Sequence, residues 1–282
     1  MIIDSHTHIF PPFVRQDRDP FIEVEPAFRL LYGSPKAKLA GAAALIEAMD
    51  RSGVDRSVVF GFPWSDPELM RRHNDYVGEV SSRFAERLLP FVCVNPQAPQ
   101  AIEEVERCLA GGMYGVGELA FYTEELNAAV TETLAPIASC CRTYQVPLML
   151  HANEPVGHHY PGKAEIQLKA LYELIRNFPD NRFILAHWGG GLFMYELLKK
   201  DTKQVLSQVA YDTAASPFLY DPEIYAVAVK IVGAQRILFG SDYPLITPDR
   251  YFEEMSMAAL SDEDQSWIKG RSASNWLNLE KV

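Results

Sequence analysis

Eight short apolar runs recur along this chain, separated by stretches with helical periodicity. They are IIDSHTHIF (2–10), VDRSVVFGF (54–62), LLPFVCVN (88–95), YGVGELA (114–120), PLMLHA (147–152), RFILAHW (182–188), LSQVAYDT (206–213) and RILFGSD (236–242). Each has strand length and is rich in β-branched, aromatic or other apolar residues. Near-continuous apolar strands alternating with helices bury both faces in a parallel sheet that the helices cover. Eight such units predict a closed (β/α)8 TIM barrel, a fold that commonly takes about 250 residues. The competing arrangement, an open doubly wound sheet, would carry a phosphate-binding G-x-G-x-x-G after its first strand. None is there. The expectation is a single domain over residues 1–282.

The intervening segments fit this plan. KLAGAAALIEAMDRSG stops at Gly53, a natural helix C-cap. Residues 67–87 are amphipathic, and AIEEVERCLAGG ends at Gly111 and Gly112. The segment 127–144 contains Pro136, so its main helix is expected to start near that proline. KAEIQLKALYELIRNF, LFMYELLKK and PEIYAVAVKIVG continue the series, and closing helices are expected within 248–277. The longest irregular piece, 10–37, holds Phe10, Phe13, Phe21, Phe28 and Tyr32 among prolines. So long a connection reads as a lid over the site or as the contact of a homodimer.

The formal net charge of −11 repels phosphate backbones and argues against nucleic acid as a partner. A small anionic substrate stays compatible, because a bound cation outweighs the global charge locally. Cys93, Cys108, Cys140 and Cys141 lack C-x-x-C spacing and read as free, packed thiols of a reducing compartment. Neither a signal-peptide pattern nor a run of 18 apolar residues is seen. The expectation is a cytoplasmic protein without a membrane-spanning helix.

In such barrels the C-terminal strand ends form the catalytic face. Strand one delivers His6 and His8 there, two residues apart and on one side of the strand. Strand four carries Glu118, strand five ends in His151, strand six in His187 and strand eight in Asp242; strand seven ends in Asp212-Thr213. Singly, each has a structural explanation. Together they bury many polar groups, which is costly unless something pairs them. A divalent cation does so. Imidazoles and carboxylates without thiolate favour Zn2+, with Mn, Fe or Co also suitable. His73, among Arg71, Arg72 and Asn74, reads as a solvated surface residue.

DSHTHIFPP, PLMLHA, LAHWGGG and FGSDYPL, in this order, resemble the amidohydrolase superfamily. More narrowly they resemble its amidohydrolase-related (amidohydrolase 2) branch, which includes aminocarboxymuconate-semialdehyde decarboxylase. The resemblance implies that His6, His8 and Asp242 bind the more buried metal and that His151 is the next ligand. It makes His187 either a ligand of a second metal or a group orienting water and substrate. Glu118 stands where binuclear members place a bridging group. One Zn2+ is expected, with a second site compatible with the residues present.

The leading functional expectation is a hydrolase directing metal-activated water at an amide, ester or lactone of a small-molecule substrate. Asp242 would be its general base, and His187 would stabilise the oxyanion. The alternative is a non-oxidative decarboxylase of an aromatic or muconate-type acid. A catalytically silent ligand-binding barrel is a third reading. For substrate contacts, Lys163 and His158 in the loop 153–165 suit a carboxylate, while Trp188, Tyr122 and Trp64 suit an aromatic wall.

Overall fold

The computed structural model describes residues 1–122, 126–164 and 167–279. Glu165 and Ile166, expected near the start of a helix, lie outside the described residues. The strands are β1 (Ile3–His8), β2 (Arg56–Phe60), β3 (Leu88–Val92), β4 (Gly115–Leu119), β5 (Leu148–Leu150), β6 (Phe183–Leu185), β7 (Val209–Asp212) and β8 (Ile237–Leu238). They pair in sequence order, every neighbour parallel. The last strand returns to the first: Ser5 N donates to Phe239 O (2.7 Å), His8 N donates to Tyr243 O (2.8 Å), and Thr7 bridges Tyr243 in parallel. This is the (β/α)8 barrel expected from the eight apolar runs.

Two hydrophobic layers follow from the alternation of side chains along each strand. The inner layer includes Ile3, Val58, Phe60, Leu89, Phe91, Met149, Ile184 and Leu238. Ala273, Trp276 and Leu277 from the closing helices join it and cap one end of the barrel. The outer layer lies between strands and helices. Fully burying one such side chain contributes roughly 1.5–3 kcal/mol.

The flanking helices are α1 (Ala42–Ser52), α2 (Pro67–Arg83), α3 (Ala101–Ala110), α4 (Ala128–Tyr144), α5 (Leu168–Asn177), α6 (Glu223–Val232) and α7 (Pro248–Met257). α1 ends at Gly53 in the left-handed region (φ 67°), as expected. α4 corrects an expectation, for it runs through Pro136 rather than starting there. The Asn127 side chain caps its N-terminus by accepting from Val130 N (3.1 Å). Pro136 is on the exposed side, where the carbonyl left without a partner can meet water, while Leu134, Ile137, Ala138 and Cys141 anchor the buried side. The helix expected over LFMYELLKK also differs. His187–Leu197 forms tight 3-10 turns interrupted by left-handed backbone at Trp188 and Gly189–Gly191. A Cβ on Gly190 would sit 2.2 Å from Asn153 O, so the chain passes there only as glycine.

The segment 10–37 is not irregular. It folds into three short helices, Pro12–Gln16, Asp19–Val24 and Pro26–Tyr32, each with proline in its first turn. Phe28 packs against Tyr32 (4.9 Å between ring centroids), Trp64 (4.9 Å) and Phe62 (5.4 Å), which seats this segment on the loop after β2.

His73 corrects the expectation of a solvated residue: it is 1% exposed. The period of α2 turns it inward with Met70 and Val77. Its Nε2 donates to Ile9 O (2.7 Å), and its Nδ1 accepts from Trp64 Nε1 (2.9 Å). Burial pushes its pKa down to about 4 against an ordinary 6.5. A folded pKa below the unfolded one makes this contribution complete above pH 6.5 and lost as pH falls through about 4. The expected loss is about 3 kcal/mol, read by urea unfolding at stepped pH. A His73→Phe variant that loses stability in parallel with wild type across that window would refute the assignment.

All four cysteines are free and buried. Among the described residues, no helix is long and apolar enough to cross a membrane.

Candidate metal centre and active site

Four strand ends, those of β1, β4, β5 and β6, place His6, His8, Glu118, His151 and His187 at the same end of the barrel, and the turn after β8 adds Asp242. Glu118 is the pivot. One oxygen, Oε1, lies 3.0 Å from His151 Nδ1 and 3.6 Å from His187 Nε2. The other, Oε2, lies 3.8 Å from His6 Nε2 and 4.0 Å from His8 Nε2. Asp242 Oδ1 approaches His8 Nε2 (3.4 Å) and His6 Nε2 (3.8 Å). Two metal-sized triads thus share Glu118: with His6 and His8, and with His151 and His187.

Each imidazole has its outer nitrogen near an oxygen acceptor. His6 Nδ1 donates to Asp212 Oδ2 (2.8 Å), His151 Nε2 to Gly162 O (3.1 Å) and His187 Nδ1 to Ala214 O (3.0 Å). His8 Nδ1 faces Gly61 O at 3.4 Å. This pattern leaves four inner nitrogens facing two carboxylates with lone pairs. Such a set has acceptors and no donor of its own, so it calls for a cation or for protons in its place. Outer N–H groups given to carboxylates or carbonyls are also how metal-binding histidines are oriented. The residues fit a divalent ion on these grounds.

The electrostatics agree. Burial disfavours the charged form of His6, yet Asp212 and Glu118 hold its pKa up at about 10. Burial likewise opposes the charge on His187, while Glu118 and Asp242 raise its pKa to about 9. Glu118 stays well below the usual carboxylate range, because His151 and His6 outweigh its burial. Without a cation the cluster therefore holds protons, which a bound cation would displace.

The sequence placed no role on Asp212, the residue that organises two of these groups. Oδ2 takes the His6 ring N–H, while Oδ1 accepts from the backbone N–H of His187 (2.9 Å) and Ala214 (3.0 Å). Its only sequence signal was its position at the end of β7.

Above the cluster opens a cavity of ≈ 580 Å³. His8, Glu118, His151, His187 and Asp242 form one end, and Tyr32, Phe62, Tyr122, Tyr160 and Phe218 supply aromatic walls. Tyr122 stacks obliquely on His151 at 5.0 Å, and His158 lies on the rim. The segment 10–37 contributes Leu31, Tyr32, Ser34, Lys36 and Ala37, so it roofs the site in part. The other proposed contacts stand elsewhere. Lys163 is bound to Glu154 (2.9 Å) and Val156 O (2.6 Å). Trp64 gives its N–H to His73 and its ring to the aromatics of the roof. Trp188 is fully buried, its Nε1 donating to Ser216 Oγ (3.0 Å). These two indoles sit behind the wall, where their polar tips find partners.

The family model described as Amidohydrolase matches residues 3–279. Gamma-resorcylate decarboxylase of Polaromonas sp. strain JS666 is 24% identical over 255 residues, spanning 76% of this chain and 77% of that protein. Among solved structures, a dihydroxybenzoic acid decarboxylase from the same strain, with manganese and 2-nitroresorcinol bound, superposes with a TM-score of 0.75. It is 18% identical and covers 100% of this chain and 98% of its own. A 5-carboxyvanillate decarboxylase from Novosphingobium aromaticivorans, with manganese and 4-hydroxy-3-methoxy-5-nitrobenzoic acid, gives 0.76. It is 16% identical and covers 99% and 96%. These relatives are decarboxylases, which overturns the expectation of an amide, ester or lactone hydrolase. The manganese in the two solved structures also widens the expected metal from zinc to a divalent ion.

Proposed function

The chain belongs to the amidohydrolase family, and from that premise we propose that it is a metal-dependent, non-oxidative decarboxylase of a hydroxylated aromatic acid. The observation that carries this reading is the pairing of an all-acceptor His/carboxylate cluster with an aromatic-walled cavity roomy enough for a substituted benzoate. His6, His8, His151 and Asp242 would hold the ion, with Glu118 and His187 beside them. Mn2+ is the first choice, since imidazole and carboxylate donors accept it and two of the relatives carry it. Zn2+ is second.

The cation, when bound, draws electron density toward the oxygens of the substrate and fixes its ring in the cavity. Asp242 lines the cavity while its Oδ1 faces His8 and His6, and its carboxyl is the group that would relay a proton from solvent to the substrate ring. That proton adds to the ring carbon bearing the carboxylate. The carbon–carbon bond then breaks, its electron pair returns to the ring, and neutral CO2 leaves. Asp242 regains a proton from solvent, so one proton is consumed per turnover. His187, held by Ala214 O, keeps the opposite side of the cluster in register. Aromatic walls exclude water, which disfavours the carboxylate relative to CO2.

The test is CO2 release by the Mn2+-loaded protein from 2,6-dihydroxybenzoate and 5-carboxyvanillate, with nitrophenyl esters and anilides as hydrolytic controls. In D2O the product should carry one deuterium at the vacated ring carbon. No CO2 and no ring exchange across a hydroxybenzoate panel at saturating Mn2+ would overturn the reading.

A further inference from the structure

One buried carboxylate lies beneath the cluster without facing the cavity. Asp4 is on β1, two residues before His6, and is 1% exposed. Its Oδ1 accepts from the backbone N–H of Ser241 (2.9 Å) and of His6 (3.2 Å), and its Oδ2 accepts from the Ser241 hydroxyl (2.5 Å). Ser241 is then held at every polar atom, because its Oγ accepts from Tyr243 N (3.1 Å) and its carbonyl from the Tyr251 hydroxyl (2.6 Å).

The residue that this arrangement brackets is Asp242. Its backbone is left-handed (φ 57°), a region non-glycine residues enter only where their surroundings impose it. Asp242 N donates to His6 O (2.9 Å), so the same short stretch of β1 carries a donor to the cluster and fixes the chain that carries the last one. We propose that Asp4 is a positioning residue for the metal. Through Ser241 it clasps β1 to the turn after β8 and sets the distance between the His6–His8 pair and the Asp242 carboxylate.

This inference rests on the donor set of the proposed function and not on the reaction. Its readout is therefore Mn2+ affinity, by calorimetry, and the electron paramagnetic resonance spectrum of the saturated protein. Asp4→Asn keeps the shape, but its amide N–H2 replaces the acceptor that takes the Ser241 hydroxyl. Ser241→Ala removes the hydroxyl and keeps the backbone N–H. Each is expected to weaken Mn2+ binding roughly 10–100-fold, the range for losing an outer partner of a ligand, and to alter the spectrum. Because both act through one clasp, the double variant should bind little worse than the weaker single one. Ser5→Ala is the control: its hydroxyl is buried without a partner among the described residues, and its loss should leave affinity unchanged. Wild-type affinity and spectrum in folded Asp4→Asn and Ser241→Ala, even at lowered Tm, would overturn the proposal. Should Asp4→Asn fail to fold, Ser241→Ala decides alone. A wild type that binds no Mn2+ would instead refute the donor set itself.

Discussion

His6→Ala is expected to yield protein without stoichiometric metal and with activity lower by on the order of 10³-fold or more, since chemistry that relies on the cation's charge is lost with it. His6 faces three other members of the cluster through one nitrogen. His6 is fully buried, its Nε2 lies 3.2 Å from His8 Nε2, and the same atom faces both Glu118 and Asp242. The substitution also strips Asp212 Oδ2 of its donor inside the protein. An orphaned buried acceptor costs about 1–3 kcal/mol, and more when charged, so Tm should fall with metal content. Elemental analysis and CO2 release, measured on one preparation, check both halves. One equivalent of tightly held metal together with a near wild-type rate would remove His6 from the site.

Glu118→Gln is the second large effect. The replacement keeps the shape and removes the negative charge that two pairs of imidazoles share. In the metal-free protein, His6 and His187 hold their protons partly because Glu118 is ionised beside them. Breaking such a buried pairing costs roughly 3–5 kcal/mol. Metal-free Glu118→Gln should therefore unfold at clearly lower urea than wild type, and Mn2+ should restore part of the difference. Activity is expected to drop about 10²-fold or more, as for removal of a group that orients a catalytic cluster. Metal stoichiometry should stay at one. A wild type holding two equivalents, falling to one in the variant, would make Glu118 a bridge between ions.

Much of this architecture was legible in the amino-acid sequence, for a physical reason. A strand buried on both faces needs apolar residues throughout, so polar residues at its C-terminal end stand out. His6, His8, Glu118, His151 and His187 were visible in that way. What stayed hidden depends on contacts between distant segments. Nothing near Trp64 or Trp188 says that their N–H groups go to His73 and Ser216 rather than to a ligand. Pro136 looks like a helix start until its exposed position is known. Tyr32 reaches the cavity because three proline-led helices fold 10–37 over it, and that region has no long periodicity to read. Asp212 was noticed as a strand end, but its partners are the ring of residue 6 and two backbone amides.

The seam between the first and last strands carries a kinetic consequence. During synthesis His6 and His8 emerge before the other members of the cluster, and the turn bearing Asp242 emerges after all of them. Contacts separated by so much sequence form late, because the entropy of closing the intervening loop must be met first. Until then the His6–His8 pair lacks the Asp242 carboxylate that completes its side of the cluster. Ion capture is thus coupled to completion of the barrel, and from then on the ion stabilises the closed form by mass action.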